Sequence, residues 1–328
     1  MNRRDAVSVF ASLSVATLDA MAQQPSKAIR VAFLYFGSRQ AAIDTGRFES
    51  FRKGMVELGY VEGKNLTVEA RYADSSMQRV DELVAELMRI KPDVIVATGS
   101  PTYRALLEAK SAIPVVVTVT IDPVAEGLAK TVARPGGNFT GLTDTAQFLG
   151  PKQLEFMLAA NPRIARVAVL QSPDNTSHPL QVAEVVAEGL RIGKQVQPYS
   201  ARTVNELASG FELMARDRVD AVIVLSDTFF TGELRTIASF ALRHRLPASY
   251  SLPSFADGGG LLAYGADLTD NFRRAAGYVD RIVKGARPGD LPMEQPTHYS
   301  LTINRGTAKA LGVTVPQSLL LRADRVID

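Results

Sequence analysis

Short, wholly apolar runs alternate with helical patterns along this chain, and the alternation occurs twice. The first copy runs from Ile29-Arg-Val-Ala-Phe-Leu-Tyr35 through Pro92-Asp-Val-Ile-Val-Ala97 to Ile113-Pro-Val-Val-Val117. The second runs from Ala165-Arg-Val-Ala-Val-Leu170 through Val219-Asp-Ala-Val-Ile-Val-Leu225 to Leu246-Pro-Ala-Ser-Tyr250. Strands that are apolar on both faces belong in parallel sheets covered by helices on each side. Between them, Val80, Leu83, Val84 and Leu87 fall on one face of a helix over 76–90. The expected fold is therefore α/β, two doubly wound parallel-sheet lobes with a cleft between them.

The remaining elements follow from punctuation. Helices are expected over 41–58, stopped by Gly59, and over 103–110 and 123–134, the last with Pro123 at its start. The run Arg134-Pro-Gly-Gly-Asn138 is a turn, and 139–143 a strand leaving the first lobe. The second lobe repeats the pattern with helices over 147–160, 180–192, 204–216 and 233–245, and strands over 166–170, 195–199 and 221–225. Beyond Tyr250 come a strand at 261–264, a helix over 272–284 ended by Gly285, a Pro-rich passage and a strand over 297–303. Two short helical pieces either side of Pro316 close the chain. Irregular passages at three places suit a hinge crossed more than once.

The N-terminus changes the picture of where this fold works. Asn2-Arg3-Arg4 opens a positive start, Ala6 to Leu18 is a small apolar run, and Ala20-Met21-Ala22 matches the small-x-small site of a signal peptidase. Residues 1–22 are expected to be a signal peptide cleaved before Gln23, and the arginine pair leaves twin-arginine export open beside the general route. The apolar run is too short to span a bilayer, and no later segment is long enough, so a soluble periplasmic protein without stable membrane insertion is expected.

Length and composition support two lobes. The 328 residues exceed one small domain, and 46% apolar residues fill two cores. The net charge of +3 is spread among interspersed acids and bases, with no basic block of the kind that binds nucleic acid. Cysteine is absent, which removes disulfides, thiolate metal sites and a cysteine nucleophile; tryptophan is absent too.

Catalytic patterns are missing. Gly37 stands alone after the first strand where a dinucleotide turn needs G-x-G-x-x-G, and no P-loop or G-x-S-x-G elbow appears. His178, His244 and His298 have no metal-ligand spacing. Neither cofactor nor metal is expected. Ligands of open parallel sheets bind beyond the carboxyl ends of the strands, and here those ends carry Phe36, Thr98, Ser100, Thr120, Asp122, Asn175, Asp227, Thr228 and Tyr250, with Tyr264 on the later strand. Thr98 and Ser100 flank a glycine at a helix entry, where hydroxyls and free N–H groups converge on an anion. Asp227 suits a ligand ammonium group, and Phe36, Tyr250 and Tyr264 suit its apolar part. Each polar residue taken singly reads equally as a helix cap.

Several stretches are more specific: Asp122-Pro-Val-Ala-Glu-Gly-Leu-Ala-Lys-Thr-Val-Ala-Arg-Pro-Gly-Gly-Asn-Phe-Thr-Gly141, Gly259-Gly-Leu-Leu-Ala-Tyr-Gly265, Gly285-Ala-Arg-Pro-Gly-Asp-Leu-Pro292, Ile303-Asn-Arg-Gly-Thr-Ala-Lys-Ala-Leu-Gly312 and Arg322-Ala-Asp-Arg-Val-Ile327. In these the chain resembles the solute-binding proteins of bacterial ABC importers, of the tryptophan/tyrosine-type transport family, over nearly its whole mature length. The resemblance implies a periplasmic binding protein type 1 fold with a three-crossing hinge. It implies a first lobe of 28–143 plus 257–287 and a second of 144–256 plus 288–328. It implies an amino-acid-like or aromatic carboxylate ligand, its carboxylate on Thr98 and Ser100 with Thr120 nearby and its amine on Asp227. The partners it implies are an ABC permease and ATPase complex, with the binding protein a monomer that does no chemistry. A ligand-sensing domain for a receptor and an α/β enzyme with a cleft active site are the alternatives.

Overall fold

Five strands form the first sheet: β1 (Ile29–Tyr35), β2 (Leu66–Tyr72), β3 (Val94–Thr98), β4 (Val115–Thr120) and β5 (Phe139–Thr143). A computed structural model describes residues 28–144, 149–296 and 298–328; the expected signal peptide lies outside the described residues. The sheet order is β2-β1-β3-β4-β5, and every pair is parallel. The apolar runs dictate this: all five residues of β3 and Val31 to Tyr35 of β1 are buried, as only strands covered on both faces can be.

The second sheet holds β6 (Arg166–Gln171), β7 (Gln195–Ser200), β8 (Ala221–Val224), β9 (Ala248–Tyr250), β10 (Leu262–Gly265), β11 (Ser300–Asn304) and β12 (Arg325–Ile327). Their order is β12-β11-β10-β9-β8-β6-β7. Strand β7 is polar and mostly exposed and carries Pro198, which an edge tolerates. One pair, β10 with β11, is antiparallel, so this sheet is mixed where an all-parallel one was expected. The cause is the hinge. β10 runs toward the crossing and leaves the lobe, β11 re-enters from it, and neighbours that leave and return run in opposite directions.

The crossings fall later in the chain than expected. β10 pairs with β9 and β11, so residues 257–265 lie with the second lobe instead of the first. The chain then passes into the helix Thr269–Val283, which lays Phe272, Ala275, Ala276 and Val279 against Phe33, Phe51 and Met55 of the first lobe. Asn271, at that helix's start, donates to the carbonyls of Thr118 and Thr143, tying it to β4 and β5. Residues 288–294 also stay with the first lobe: Gly136 donates to Gly289, Thr143 donates to the Glu294 carbonyl at 2.8 Å, and Glu294 donates to Gly141 at 3.0 Å. Return to the second lobe comes between Glu294 and Ser300.

Three elements differ from expectation. No helix forms over 123–134; the segment is a series of turns, in which Asp122 accepts from the backbones of Val124 and Ala125 and Gly127 takes a left-handed φ of 74°. That conformation ends the turn, and glycine reaches it without a steric penalty. The first helix breaks at Thr45–Gly46 into Arg39–Asp44 and Arg47–Glu57, and the helix expected over 233–245 is preceded by a separate short one, Thr228–Gly232. The short strand β12 closes the chain as a sheet edge, a place for which its mostly exposed residues carry little apolar signal.

Candidate functional site

Each sheet points the carboxyl ends of its strands at the other lobe, and the loops that follow those ends meet. A small cavity of about 30 Å³ lies between them, bounded by Arg47, Thr98 and Ser100 from the first lobe and Asn175, Asp227 and Thr228 from the second. It shares Arg47, Thr231 and Leu268 with an adjoining chamber of about 480 Å³ that continues toward Ser254, Thr269 and Thr302.

On the first-lobe side, β3 ends at Thr98 and the helix Ser100–Glu108 begins directly after Gly99. In its first turn Pro101 has no N–H, and the N–H groups of Thr102 and Tyr103 donate to the Gly99 carbonyl, so Ser100 is the residue of this turn that offers polar groups to the cleft. The Thr98 and Thr118 hydroxyls lie 2.7 Å apart, so Thr98 lines the cavity with its hydroxyl already engaged. Ser100 reaches across the gap and donates to Asn175 Oδ1 at 3.4 Å. Arg47, only 5% exposed, donates from one guanidinium nitrogen to the Tyr35 hydroxyl at 3.1 Å and lies over the Phe272 ring at 5.4 Å.

A buried histidine organises the second-lobe side. The backbone N–H of Ser172 donates to His178 Nδ1 at 2.8 Å, which puts the proton on Nε2, directed at the Ser226 carbonyl 3.0 Å away. Burial lowers the pKa of His178, against the opposing charge of Asp227, in keeping with that neutral tautomer. The pair of bonds fixes the two turns after β6 and β8 relative to each other. Asn175 Nδ2 then donates to Asp227 Oδ2 at 3.0 Å. The other carboxylate oxygen caps the helix Thr228–Gly232, accepting from Phe229 at 2.8 Å and Phe230 at 3.3 Å.

A second contact between lobes involves Glu126. Its Oε1 accepts from Thr120 in its own lobe at 3.0 Å and from Ser177 of the other lobe at 2.9 Å, while Oε2 is buried with no hydrogen-bond partner among the described residues. Burial pushes this carboxyl above its ordinary value, although the bonds from Ser177 and Thr120 pull the other way; Tyr103 and Asp122 are the titratable neighbours. Opening the lobes would separate Glu126 from Ser177 and hydrate it. The closed form therefore prefers the protonated acid, and that preference fades as pH rises from 4.5 through the raised value. Ligand capture that requires closure is expected to weaken over that window. Glu126→Gln, which keeps an acceptor for both hydroxyls, should flatten the dependence and bind roughly threefold or more tighter at pH 8. Calorimetric titrations at pH 5, 6.5 and 8 check this; parallel profiles for the two proteins would contradict it.

Of the residues expected at the site, the cavity brings together Thr98, Ser100, Asn175, Asp227 and Thr228. The others lie elsewhere. Thr120 turns its hydroxyl to Glu126, and Asp122 serves as a turn cap. Phe36 packs into the hydrophobic core of the first lobe at 4% exposure, and Tyr250, fully buried, stacks on Phe255 at 4.6 Å. Tyr264 meets Phe156 edge-on at 5.0 Å, on the outer side of the second sheet. Rings within a strand point to a sheet face, not out of its end, which is why Tyr250 and Tyr264 fill cores. Arg47 and Glu126 were not expected. Glu126 lies in the specific 122–141 stretch. Arg47 lies between Gly46 and Phe48 in a polar segment that reads as surface.

Comparison with known proteins gives the arrangement a context. Residues 40–327 match the family model described as ABC transporter substrate binding protein. A tyrosine-binding protein of Clostridioides difficile is 23% identical over 263 residues, 80% of this chain and 75% of that relative. Among solved structures, an ABC domain from Streptococcus pneumonia in complex with L-Trp is 26% identical, with a TM-score of 0.82, covering 92% of this chain and all of that one. A conserved domain protein from Vibrio cholerae is 25% identical with a TM-score of 0.83 over the same shares. The first of these relatives is named for binding tyrosine and the second holds L-Trp, and the architecture shared with the solved structures is the two-lobed type 1 periplasmic binding fold. The chain belongs to the ABC transporter substrate-binding protein family.

Proposed function

We propose that the mature protein works in the periplasm as the substrate-binding subunit of an ABC importer, holding an amino-acid-like carboxylate between its lobes and handing it to a permease and its ATPase. The observation that carries this reading is the inter-lobe cavity, where Ser100, at the start of a first-lobe helix, opposes the carboxylate of Asp227. That opposition of donor and acid suits a zwitterion. The tyrosine and L-Trp named for two relatives favour the same class. On this reading a monomer closes by rotation about its three crossings, and closure is favoured only as far as the ligand gains contacts with the second lobe.

Titration of the purified protein with the twenty amino acids and simple aromatic acids tests the proposal. Since the chain contains no tryptophan, bound L-Trp supplies all of the indole fluorescence and reports its own capture. Saturable one-to-one binding of at least one amino acid is expected, with a melting temperature that rises with ligand concentration. No binding across the set would overturn it.

A further inference from the structure

We infer that Arg47 is the anchor for the ligand's carboxylate, an assignment that rests on the amino-acid reading above and moves the anion from threonine hydroxyls to a cation. Of the hydroxyls expected to hold the carboxylate, Thr98 is engaged with Thr118 and Thr120 with Glu126. Ser100 donates across the gap to Asn175, and Arg47 lines the same cavity. A guanidinium stays charged at any physiological pH, and a buried charge without a counter-ion is costly. At 5% exposure Arg47 nevertheless pairs with no carboxylate among the described residues. Its protein contacts are the neutral Tyr35 hydroxyl and the face of Phe272.

The nearby acids are committed elsewhere: Asp227, in the same cavity, accepts from Asn175 and caps the helix Thr228–Gly232. Asp257 forms a two-oxygen pair with Arg325, and Asp267 accepts from the backbone of Thr269. Both line the adjoining chamber with Arg47, and neither neutralises it. Tyr35 and Phe272 hold the guanidinium from the first-lobe side, leaving its remaining donors for a partner that arrives in the cleft. A carboxylate fits that fork with two parallel bonds. The position also explains why Arg47 borders both spaces: an acid held there would extend its other end into the 480 Å³ chamber.

The test uses L-Trp and L-Tyr as probes beside tryptamine and tyramine, which keep the amine and ring but lack the carboxylate. Wild type, Arg47→Met and Arg47→Lys are titrated calorimetrically and melted without ligand. Wild type should bind an amino acid and not its decarboxylated partner. Arg47→Met should lose roughly 30-fold or more in affinity, with Arg47→Lys intermediate because a point charge lacks the fork. The ligand-free melting point of Arg47→Met should fall by no more than about 2 °C, since the change also removes an unpaired buried charge. A purely structural role would instead lower that melting point and leave affinity within threefold. Wild type that captures tryptamine as tightly as L-Trp would also overturn the assignment. Wild type that binds no amino acid at all sinks the functional reading, and this assignment with it; binding that survives Arg47→Met sinks the assignment alone.

Discussion

Asp227→Asn should lower the ligand-free melting temperature by no more than about 4 °C, yet weaken amino-acid capture by roughly 30-fold or more. The separation arises because Asp227 does two jobs with two oxygens. One caps the helix Thr228–Gly232 through Phe229 and Phe230, a task that asparagine performs equally well. The other accepts from Asn175 at the cavity wall, where its charge is available to a ligand ammonium group. Charged hydrogen bonds of this kind contribute about 1.5–3 kcal/mol, and the substitution removes the charge without changing the shape, at the loss of the one bond from Asn175, whose Nδ2 would then face another donor. Asp227→Ala loses both functions and should additionally cost about 1 kcal/mol of stability. Titration and thermal melting on the same preparations decide the matter. Undiminished affinity in the Asp227→Asn protein would reduce Asp227 to a cap.

Gly141→Ala is expected to cost about 3 kcal/mol or more and to lower the melting temperature by roughly 6–12 °C. Gly141 lies in β5 with φ of 137°, outside the range that residues with side chains adopt readily. A methyl group there would stand 2.1 Å from the Val117 carbonyl oxygen and 2.7 Å from the Val117 nitrogen, so one of the two strands must move. The β4–β5 pairing already shifts register between Val117 and Thr120, and Gly141 accepts the bond from Glu294 where the chain prepares its last crossing. Strain at this point is therefore passed to the hinge. A melt coinciding with wild type would show that β5 relaxes without cost.

The two sheets were legible because buried parallel strands leave an unmistakable mark: β1, β3, β4, β6 and β8 each appear as an apolar run where the structure has them. The order of strands beyond Tyr250 was not legible. Leu261 to Tyr264 suits the core of either lobe, and only pairing with β9 decides between them. The missing helix at 123–134 shows a similar limit, since Pro123 suited a helix start but a glycine at positive φ and an aspartate cap favoured turns. At the site, residues immediately after strand ends could be found by rule. Arg47 and Glu126 could not, because each reaches the cleft from a loop or helix whose path depends on tertiary packing. Aromatic residues misled for the opposite reason: strand position alone does not say whether a ring faces a core or a gap.

The helix Thr269–Val283 completes the core of the first lobe with Phe272 and Val279, yet more than a hundred residues separate it from β5 in the chain. As the polypeptide is synthesised, the early sheet appears first and its face of Val31, Phe33 and Val94 stays covered only in part, by the helix Arg47–Glu57, until almost the entire molecule has emerged. The first lobe begun is thus among the last parts finished. A chain stopped short of residue 283 would carry an open apolar face, a natural handle for chaperones and proteases and a reason for both lobes to mature together.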